Sequence, residues 1–367
     1  MRILVLGGYG NFGARICRAL AGNDGIEVVA TGRNPASAPS DFKARAIEII
    51  ALDIASSNFP VELARLNCGA VIHCVGPFQG QNYHVAQAVL ACGAHYIDLA
   101  DGRDFAARFS AGVTDTATLA NKLAVTGAST LPALSSAVVD ALAPKFSSLD
   151  EIHTVIAPAQ HAPRGAATLA GVLSYAGRPF STLEDGAWKT GFGWLDVRQI
   201  FLGPLGKRLS ALCDVPDLEL FAQRYPQVKT VSFRAALEVG LQHRAIAALA
   251  SLRRAGLSLP IERLAGVMES VAQLFNRFGT ETGGMEVRLR GTSLTGNPLT
   301  LTWRVLAPNN HGPEIPCMAA ILLARRLAAE AEPAIGARPC MGLLTLADFQ
   351  SEFEKWGMTT HIEESRD

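Results

Sequence analysis

The sequence predicts an α/β fold, with a doubly wound parallel sheet at the N-terminus and a second, α+β domain that contains a mixed sheet. Between residues 2 and 126, short apolar runs of strand length alternate with segments whose apolar residues recur at helical spacing. After residue 130 this alternation stops, and turn-separated strand patterns precede a late amphipathic helix. At 367 residues the chain is also longer than one typical domain.

The first predicted strand and helix are separated by a run of glycines. Arg2–Leu6 is an apolar run typical of a strand buried on both faces, and helical spacing begins at Ala14. A strand that turns sharply into a helix needs glycine, and a diphosphate can approach the backbone only where side chains are absent. The helix start then offers N–H groups and a positive dipole end to a pyrophosphate.

This strand–turn–helix context predicts a dinucleotide site, although the glycine spacing departs from the strict G-x-G-x-x-G fingerprint. A purely structural glycine turn is the alternative. The predicted contacts with the cofactor are Gly7, Gly8, Tyr9, Gly10, Asn11, Phe12 and Gly13.

The end of the second predicted strand, residues 27–30, indicates which dinucleotide binds. An NAD site usually carries an acidic residue about twenty positions after the last glycine, where it holds the ribose 2′-OH. This chain has Arg33 at that position and no carboxylate beside it. Because a guanidinium pairs well with phosphate oxygens, NADP is predicted, with NAD as the alternative. The simpler interpretation is that Arg33 is a solvated loop charge.

Two further strand ends are predicted to line the cofactor crevice, because ligands bind outside the carboxyl ends of parallel strands. Asp53 follows the third predicted strand, residues 46–52, and is expected near the adenine, with a turn cap as the alternative. The fourth predicted strand, residues 69–75, ends in Gly76-Pro77-Phe78. There Gly76 permits close approach of the nicotinamide ribose, and Pro77 fixes the exit direction of the chain.

Composition and charge exclude several classes of protein. Lys and Arg total 33 and Asp and Glu total 33, so the chain has no net charge that would recruit nucleic acid or an anionic membrane. The hydrophobic fraction of 49% indicates a globular protein with a sizeable core. The 7 cysteines contain no C-x-x-C pair, which argues against a zinc site or a disulfide framework. Met1-Arg2 leads directly into a strand and no apolar run is long enough to span a bilayer, so a cytoplasmic protein without a transmembrane segment is expected.

Changes in sequence texture predict the domain boundaries. Residues 1–130 are expected to form the nucleotide-binding domain, and residues 131–310 an α/β domain for substrate binding or dimerisation. Residues 311–350 are expected to form C-terminal helices that pack back on the first domain, and residues 351–367 a tail.

Few side chains offer acid–base chemistry at the predicted crevice. His84 begins a helix after the fourth strand, where the positive helix end favours a neutral imidazole able to exchange a proton. Asp98, at the end of the fifth strand, is a second candidate, with a turn cap as its alternative. His161 and Arg164, in the second domain, could bind a substrate carboxylate or thioester oxygen. The predicted nucleotide-binding domain contains no Tyr-x-x-x-Lys dyad, since Tyr83 is followed by Gln87. The sequence contains no Gly-x-Ser-x-Gly motif and no metal-ligand spacing.

Four segments together resemble the saccharopine dehydrogenase family, particularly its bacterial saccharopine-reductase-like and trans-acting enoyl-reductase-like members. The segments are GGYGNFG (7–13), GPF (76–78), ACGAHYIDLADGRDF (91–105) and TGASTLPALSS (126–136). The resemblance implies an NADP-binding Rossmann domain joined to an α/β domain, with the glycine turn, Arg33 and the GPF segment holding the cofactor. It also implies that Tyr96 and Asp98 lie at the rim of the nicotinamide pocket.

One segment departs from the family pattern. Members that form amino acids tend to carry an acidic-Pro-Gly segment where this chain has Leu131-Pro132-Ala133. The departure puts saccharopine itself in doubt and favours a less polar substrate.

The function expected from these observations is that of an NADP-dependent oxidoreductase. It would transfer hydride to or from a C=N, C=O or activated C=C bond of a small metabolite. A non-enzymatic NADP-binding redox sensor and an accessory enoyl reductase acting with a partner synthase are the alternatives. No nucleic-acid partner is expected, because basic and aromatic residues do not cluster. A homodimer, paired through the second domain, is the expected assembly.

Overall fold

A computed structural model describes residues 1–163, 165–257, 260–329 and 334–365. The chain divides into two compact units. The first contains residues 1–134 and the described part of residues 314–344, and the second contains residues 135–313 and the described residues from Thr345 onward.

The described part of the chain contains sixteen β-strands. They are β1 (Arg2–Leu6), β2 (Glu27–Gly32), β3 (Glu48–Ala51), β4 (Ala70–His73), β5 (His95–Asp98), β6 (Leu123–Thr126), β7 (Phe146–Ala157), β8 (Pro179–Glu184), β9 (Ala187–Phe192), β10 (Arg198–Phe201), β11 (Lys207–Leu212), β12 (Thr230–Leu237), β13 (Gly283–Ser293), β14 (Pro298–Ala307), β15 (Gly336–Pro339) and β16 (Thr359–Ser365).

Eleven α-helices accompany these strands in the described residues. They are α1 (Asn11–Leu20), α2 (Phe59–Arg65), α3 (His84–Ala91), α4 (Arg103–Leu119), α5 (Ser135–Leu142), α6 (Ala166–Ser174), α7 (Asp217–Arg224), α8 (Gly240–Arg254), α9 (Ala265–Gln273), α10 (Ile315–Ala328) and α11 (Gln350–Lys355).

The first unit is built on a seven-stranded sheet in the order β15-β6-β5-β4-β1-β2-β3. Every pairing in it is parallel. Four residues of β1 and all four of β4 are buried, as expected of strands covered on both faces by helices. The strand order reverses direction between β1 and β4, which is the kind of switch point where doubly wound sheets bind ligands. The predicted doubly wound parallel sheet is confirmed.

The second unit is built on a nine-stranded mixed sheet, whose main path is β10-β11-β12-β7-β13-β14-β16. Strands β12 and β7 run parallel, whereas the other pairs are antiparallel. Strands β13 and β14 form a hairpin around Thr295–Pro298, and Trp303 of β14 is fully buried. The predicted mixed sheet is therefore confirmed.

Two sequence-based expectations about the C-terminal part need correction. The expected tail at 351–367 contains the end of α11 and the strand β16, which pairs antiparallel with β14 from Leu306 back to Thr300. Residues 366–367 lie outside the described residues. The expected C-terminal helical segment at 311–350 contributes one long helix, α10, together with β15, which extends the first sheet beside β6. Both strands were missed because their partners lie far away in the sequence.

Within the first unit, α10 packs against α1. Arg15 of α1 forms an ion pair with Glu314, and the Cys317 thiol lies 3.7 Å from the Phe12 carbonyl oxygen. Of the helices that the structure describes, none is both long and apolar enough to cross a membrane.

Candidate functional site

The glycine turn after β1 adopts a conformation that only glycine tolerates well. Gly7 has a φ of +74°, in the left-handed region. A Cβ on Gly8 would lie 2.9 Å from the Cα of Ala30, so β2 leaves no room for a side chain there. A Cβ on Gly13 would lie 2.8 Å from the carbonyl carbon of Gly7 and from the Cα of Gly8. Glycine at position 13 is therefore what allows α1 to start directly against the turn.

The N-terminus of α1 has the features of an anion site. Its N-cap is Gly10, which has no side chain to cap the first turn, and that turn contains no acidic residue. Gly10 donates its N–H to the Gly7 carbonyl at 3.0 Å and accepts from Ala14 at 2.9 Å, which fixes the turn against the helix. The positive end of the helix dipole is thus not neutralised by a carboxylate of its own first turn.

Tyr9 connects the glycine turn to the ends of the next two strands. A Cβ on Gly32 would lie 2.6 Å from Cε2 of the Tyr9 ring, so the ring rests on the end of β2. The Tyr9 hydroxyl donates to the carbonyl of Ile50 in β3 at 2.7 Å. Burial raises the pKa of this phenol, so it stays protonated at neutral pH.

Arg33 lies immediately beyond β2, beside the site formed by the turn. Its side chain is exposed, and among the described residues it forms no hydrogen bond or ion pair. The side-chain Oδ1 of the neighbouring Asn34 accepts from the N–H of Ala36 at 3.1 Å, which caps the start of a short 3-10 turn. A guanidinium at a strand end that pairs with no carboxylate can donate its N–H groups to the oxygens of a phosphate.

The other two predicted strand-end contacts have clear local roles. Asp53 is half-buried two residues after β3, and its Oδ1 accepts from the N–H of Ala55 at 3.0 Å, so it closes its own turn. At Gly76 a Cβ would meet only Phe78, at 3.9 Å or more, which is ordinary van der Waals contact, so the backbone there is not crowded. The side chain of Phe78 points inward, where it is 4% exposed and contacts the His73 ring edge-on at a centroid distance of 5.1 Å. Their contacts with the cofactor stay predictions.

Tyr96 and Asp98 do not lie at the rim of a pocket, which corrects the expectation drawn from the family resemblance. Both side chains are completely buried. The Tyr96 ring stacks on Phe109 at 5.8 Å, and its hydroxyl lies 2.9 Å from Nδ1 of His73, a buried histidine that sequence reasoning missed. A histidine within the apolar run of β4 was the available signal. Burial raises the pKa of Tyr96 and lowers that of His73 to about 3, so both groups are neutral at physiological pH.

Asp98 holds together the ends of β5 and β6. Its Oδ1 accepts from the Thr126 hydroxyl at 2.8 Å, from the N–H of Gly127 at 2.8 Å and from the N–H of Ala100 at 2.9 Å. Burial raises the pKa of this carboxyl to about 6, and the three hydrogen bonds oppose the rise. Asp98 therefore positions the carboxyl ends of two strands, where parallel sheets bind their ligands.

The remaining candidates occupy separate positions. His84 is exposed at the start of α3, with Nδ1 against the Asn82 side-chain oxygen and Nε2 3.2 Å from the Ile54 carbonyl. In the second unit, Nε2 of His161 lies 2.6 Å from the carbonyl of Asn276. Arg164 lies outside the described residues. No cluster of metal-ligating side chains is found in the described ranges.

Comparison with known proteins assigns the first unit. Residues 3–144 match the family described as the saccharopine dehydrogenase NADP binding domain. This part of the chain is thus similar to a saccharopine dehydrogenase-type NADP-binding domain, and the match covers less than half of the chain. The resemblance inferred from the four sequence segments is thereby confirmed, and so is NADP as the predicted cofactor of this domain.

Solved structures show that the complete two-unit fold also occurs elsewhere. Saccharopine dehydrogenase (L-Glu forming) from Saccharomyces cerevisiae is 12% identical, with 99% of each chain covered and a TM-score of 0.69. Homospermidine synthase from Legionella pneumophila, solved with NAD, is 9% identical, with 100% of this chain and 92% of that chain covered and a TM-score of 0.61. Amine dehydrogenase from Mycobacterium smegmatis is 10% identical, with 93% and 94% covered and a TM-score of 0.52. No curated protein matches the chain.

In the saccharopine dehydrogenase-type domain, Asp98→Asn is expected to change how stability depends on pH. The raised pKa means that the native state of the wild type is stabilised below the pKa of an unfolded aspartate, about 3.9, and loses that contribution as the pH rises through about 6. Asparagine can accept the same three hydrogen bonds but does not ionise. The free energy of unfolding of the variant, relative to wild type, should therefore rise by about 2 kcal/mol between pH 4.5 and pH 7.

Urea unfolding of both proteins at these two pH values measures this difference. Asp53→Asn is the matched control, because Asp53 is only half-buried and closes a local turn. If the free energy of unfolding of Asp98→Asn and that of wild type differed by the same amount at pH 4.5 and at pH 7, the raised pKa of Asp98 would be refuted.

Proposed function

We propose that this protein is an NADP-dependent oxidoreductase that transfers hydride to or from a C=N, C=O or activated C=C bond of a small metabolite. One observation supports the cofactor preference above all. An uncapped helix N-terminus follows a glycine turn, and the neighbouring strand ends in an arginine to which no described residue supplies a carboxylate. The pyrophosphate would meet the turn and the helix dipole, and the 2′-phosphate would meet Arg33.

The residues of this chain would bind and orient the cofactor. The backbone from Gly7 to Gly13 would hold the pyrophosphate, and the uncrowded backbone at Gly76 would allow the nicotinamide ribose to approach. When bound, the nicotinamide supplies the hydride chemistry, so the protein mainly has to position the reacting atoms and manage a proton. Asp53 remains the candidate for the adenine side.

The proton donor is the least constrained part of the proposal. His84 is exposed and begins a helix, so it is accessible for proton exchange. Asp98 is buried and accepts hydrogen bonds from backbone N–H groups. This favours a positioning role over direct contact with substrate. His161 and Arg164 stay candidates for substrate recognition, whereas the complete burial of Tyr96 argues against direct contact with substrate.

The names of the structural relatives suggest which substrates to try first. One forms L-glutamate, one is a homospermidine synthase and one is an amine dehydrogenase. All three names concern amino compounds, so imines and the corresponding amines head the panel. Ketones and enoyl thioesters follow, because the segment Leu131-Pro132-Ala133 favours a less polar substrate.

Calorimetric titration with NADPH and NADH at matched salt tests the cofactor, and oxidation of NADPH with each substrate tests the activity. We expect tight binding of NADPH and turnover with one substrate class. Preference for NADH would refute the role given to Arg33. Binding of neither cofactor would refute the function.

A non-enzymatic NADP-binding redox sensor is the second candidate. It is supported by the complete burial of Tyr96 and Asp98, which leaves the site with few accessible acid–base groups. Tight NADPH binding without turnover on the whole panel, even with a partner synthase added, would favour the sensor. A cytoplasmic location and a homodimer also stay proposals, which cell fractionation and light scattering test.

A further inference from the structure

The second unit exposes an unusual amount of apolar surface on one helical hairpin. We call residues 240–257 and 260–278 the α8–α9 hairpin. The Gln242 side chain donates to the carbonyl of Ala272 at 3.2 Å, and Arg253 pairs with Glu262 at 2.6 Å. Since one contact joins the start of α8 to the end of α9 and the other joins the opposite ends, the two helices run antiparallel.

The exposed apolar side chains of α9 and its flanking turns form a continuous stripe. Their spacing alternates between three and four positions, which places them on one helical face. The members of the stripe and their exposed fractions are Leu264 (42%), Val267 (63%), Val271 (47%), Leu274 (74%) and Phe278 (61%).

The opposite face of this segment is the one that packs inward. Ile261 and Ala265 are buried there, and α9 contacts α6. The stripe is thus a second apolar face that the described part of the chain leaves uncovered. Three further leucines on α8 and just after it are also exposed, namely Leu241 (61%), Leu252 (46%) and Leu257 (49%).

The exposed charges of the α8–α9 hairpin are mainly positive. Arg244, Arg254, Arg263 and Arg277 are all exposed, and no described carboxylate pairs with any of them. Arg254 lies over the Phe192 ring at 4.0 Å, and Arg277 lies over the Phe278 ring at 4.6 Å. Of the two glutamates in the hairpin, Glu262 is already paired with Arg253 and Glu269 is half-buried. Although the whole chain has a net charge of zero, this surface is locally cationic.

We propose that the α8–α9 hairpin docks the protein on an anionic lipid surface. Helices that lie in the headgroup region of a bilayer typically carry leucine and phenylalanine on one face and arginine beside them. A second copy of this chain is a poorer occupant. A two-fold interface places the same patch on both sides, so it would bring exposed arginines towards exposed arginines.

Flotation of the full-length protein with lipid vesicles tests this proposal. We expect the protein to float with vesicles of phosphatidylcholine and phosphatidylglycerol, and not with vesicles of phosphatidylcholine alone. The double variant Arg263→Gln/Arg277→Gln should lower the partition coefficient by about thirtyfold, because two cations near the surface are lost. Val267→Glu/Leu274→Glu should abolish binding.

The control is Leu119→Glu, because Leu119 is 90% exposed at the end of α4 in the other unit. This variant should float like wild type, and thermal unfolding checks that every variant is folded. Equal flotation with both kinds of vesicle, or undiminished flotation of the Val267→Glu/Leu274→Glu variant, would overturn the proposal. Absence of flotation with either kind of vesicle would also overturn it. If light scattering then showed a dimer that the Val267→Glu/Leu274→Glu variant dissociates, the stripe would be a contact between two copies of the chain.

Discussion

Replacing Arg33 by alanine is expected to weaken NADPH binding roughly 5- to 150-fold, which corresponds to the loss of about 1–3 kcal/mol for a hydrogen bond to a charged group. The reason is geometric and electrostatic. Arg33 directly follows β2, at the strand end where an NAD site carries its acidic residue. With no described carboxylate to neutralise it, the guanidinium is available to the 2′-phosphate. NADH has no 2′-phosphate, so its affinity should change little.

Calorimetric titration of wild type and variant with both cofactors measures the effect. Arg108→Ala is the matched control, because it removes one positive charge from an exposed ion pair on the same unit. Its NADPH affinity should equal that of wild type within about twofold, since exposed pairs contribute little. Equal losses of NADPH and NADH affinity in Arg33→Ala would contradict the assignment of Arg33 to the 2′-phosphate.

Replacing Gly13 by alanine is expected to abolish binding of both cofactors. The new methyl group would lie 2.8 Å from the carbonyl carbon of Gly7 and from the Cα of Gly8. Both neighbours are backbone atoms, so either the turn or the start of α1 has to move. Overpacking of this kind costs about 1–3 kcal/mol of stability. Affinity for NADPH and NADH should fall together, by about a hundredfold or more, because the pyrophosphate contacts of a misplaced turn are lost.

Gly312→Ala is the control for this variant. A Cβ at Gly312 would meet nothing within 4 Å, and its φ lies outside the left-handed region. This substitution should leave both affinities and the thermal midpoint close to wild type. Normal cofactor binding by Gly13→Ala would show that the glycine turn is not the pyrophosphate site.

The two arms of this experiment separate two kinds of contact. Gly13 affects a part of the site that both dinucleotides share, whereas Arg33 affects only the part that distinguishes them. Loss of both cofactors in Gly13→Ala, together with selective loss of NADPH in Arg33→Ala, would assign the pyrophosphate and the 2′-phosphate to different elements of the same unit.

The local sequence determined much of the first unit. The glycines at 7, 10 and 13 indicated the strand–turn–helix because each has a backbone or packing requirement that short-range geometry imposes. The alternating apolar runs indicated the parallel sheet, because such strands are covered on both faces. The second strand is followed by Arg33 and not by an acidic residue. This indicated NADP as the cofactor without any knowledge of the tertiary structure.

Tertiary structure alone decided which polar residues are buried and which distant segments pair. The family resemblance implied that Tyr96 and Asp98 lie at the rim of the nicotinamide pocket, but Phe109 and the Thr126–Gly127 segment enclose them. Strand β15 joins β6 across more than two hundred positions, and β16 joins β14 across more than fifty. Periodicity reports which face of an element is apolar, and not which partner covers it. For the same reason the exposed stripe of the α8–α9 hairpin became visible only when the inward face of α9 was known.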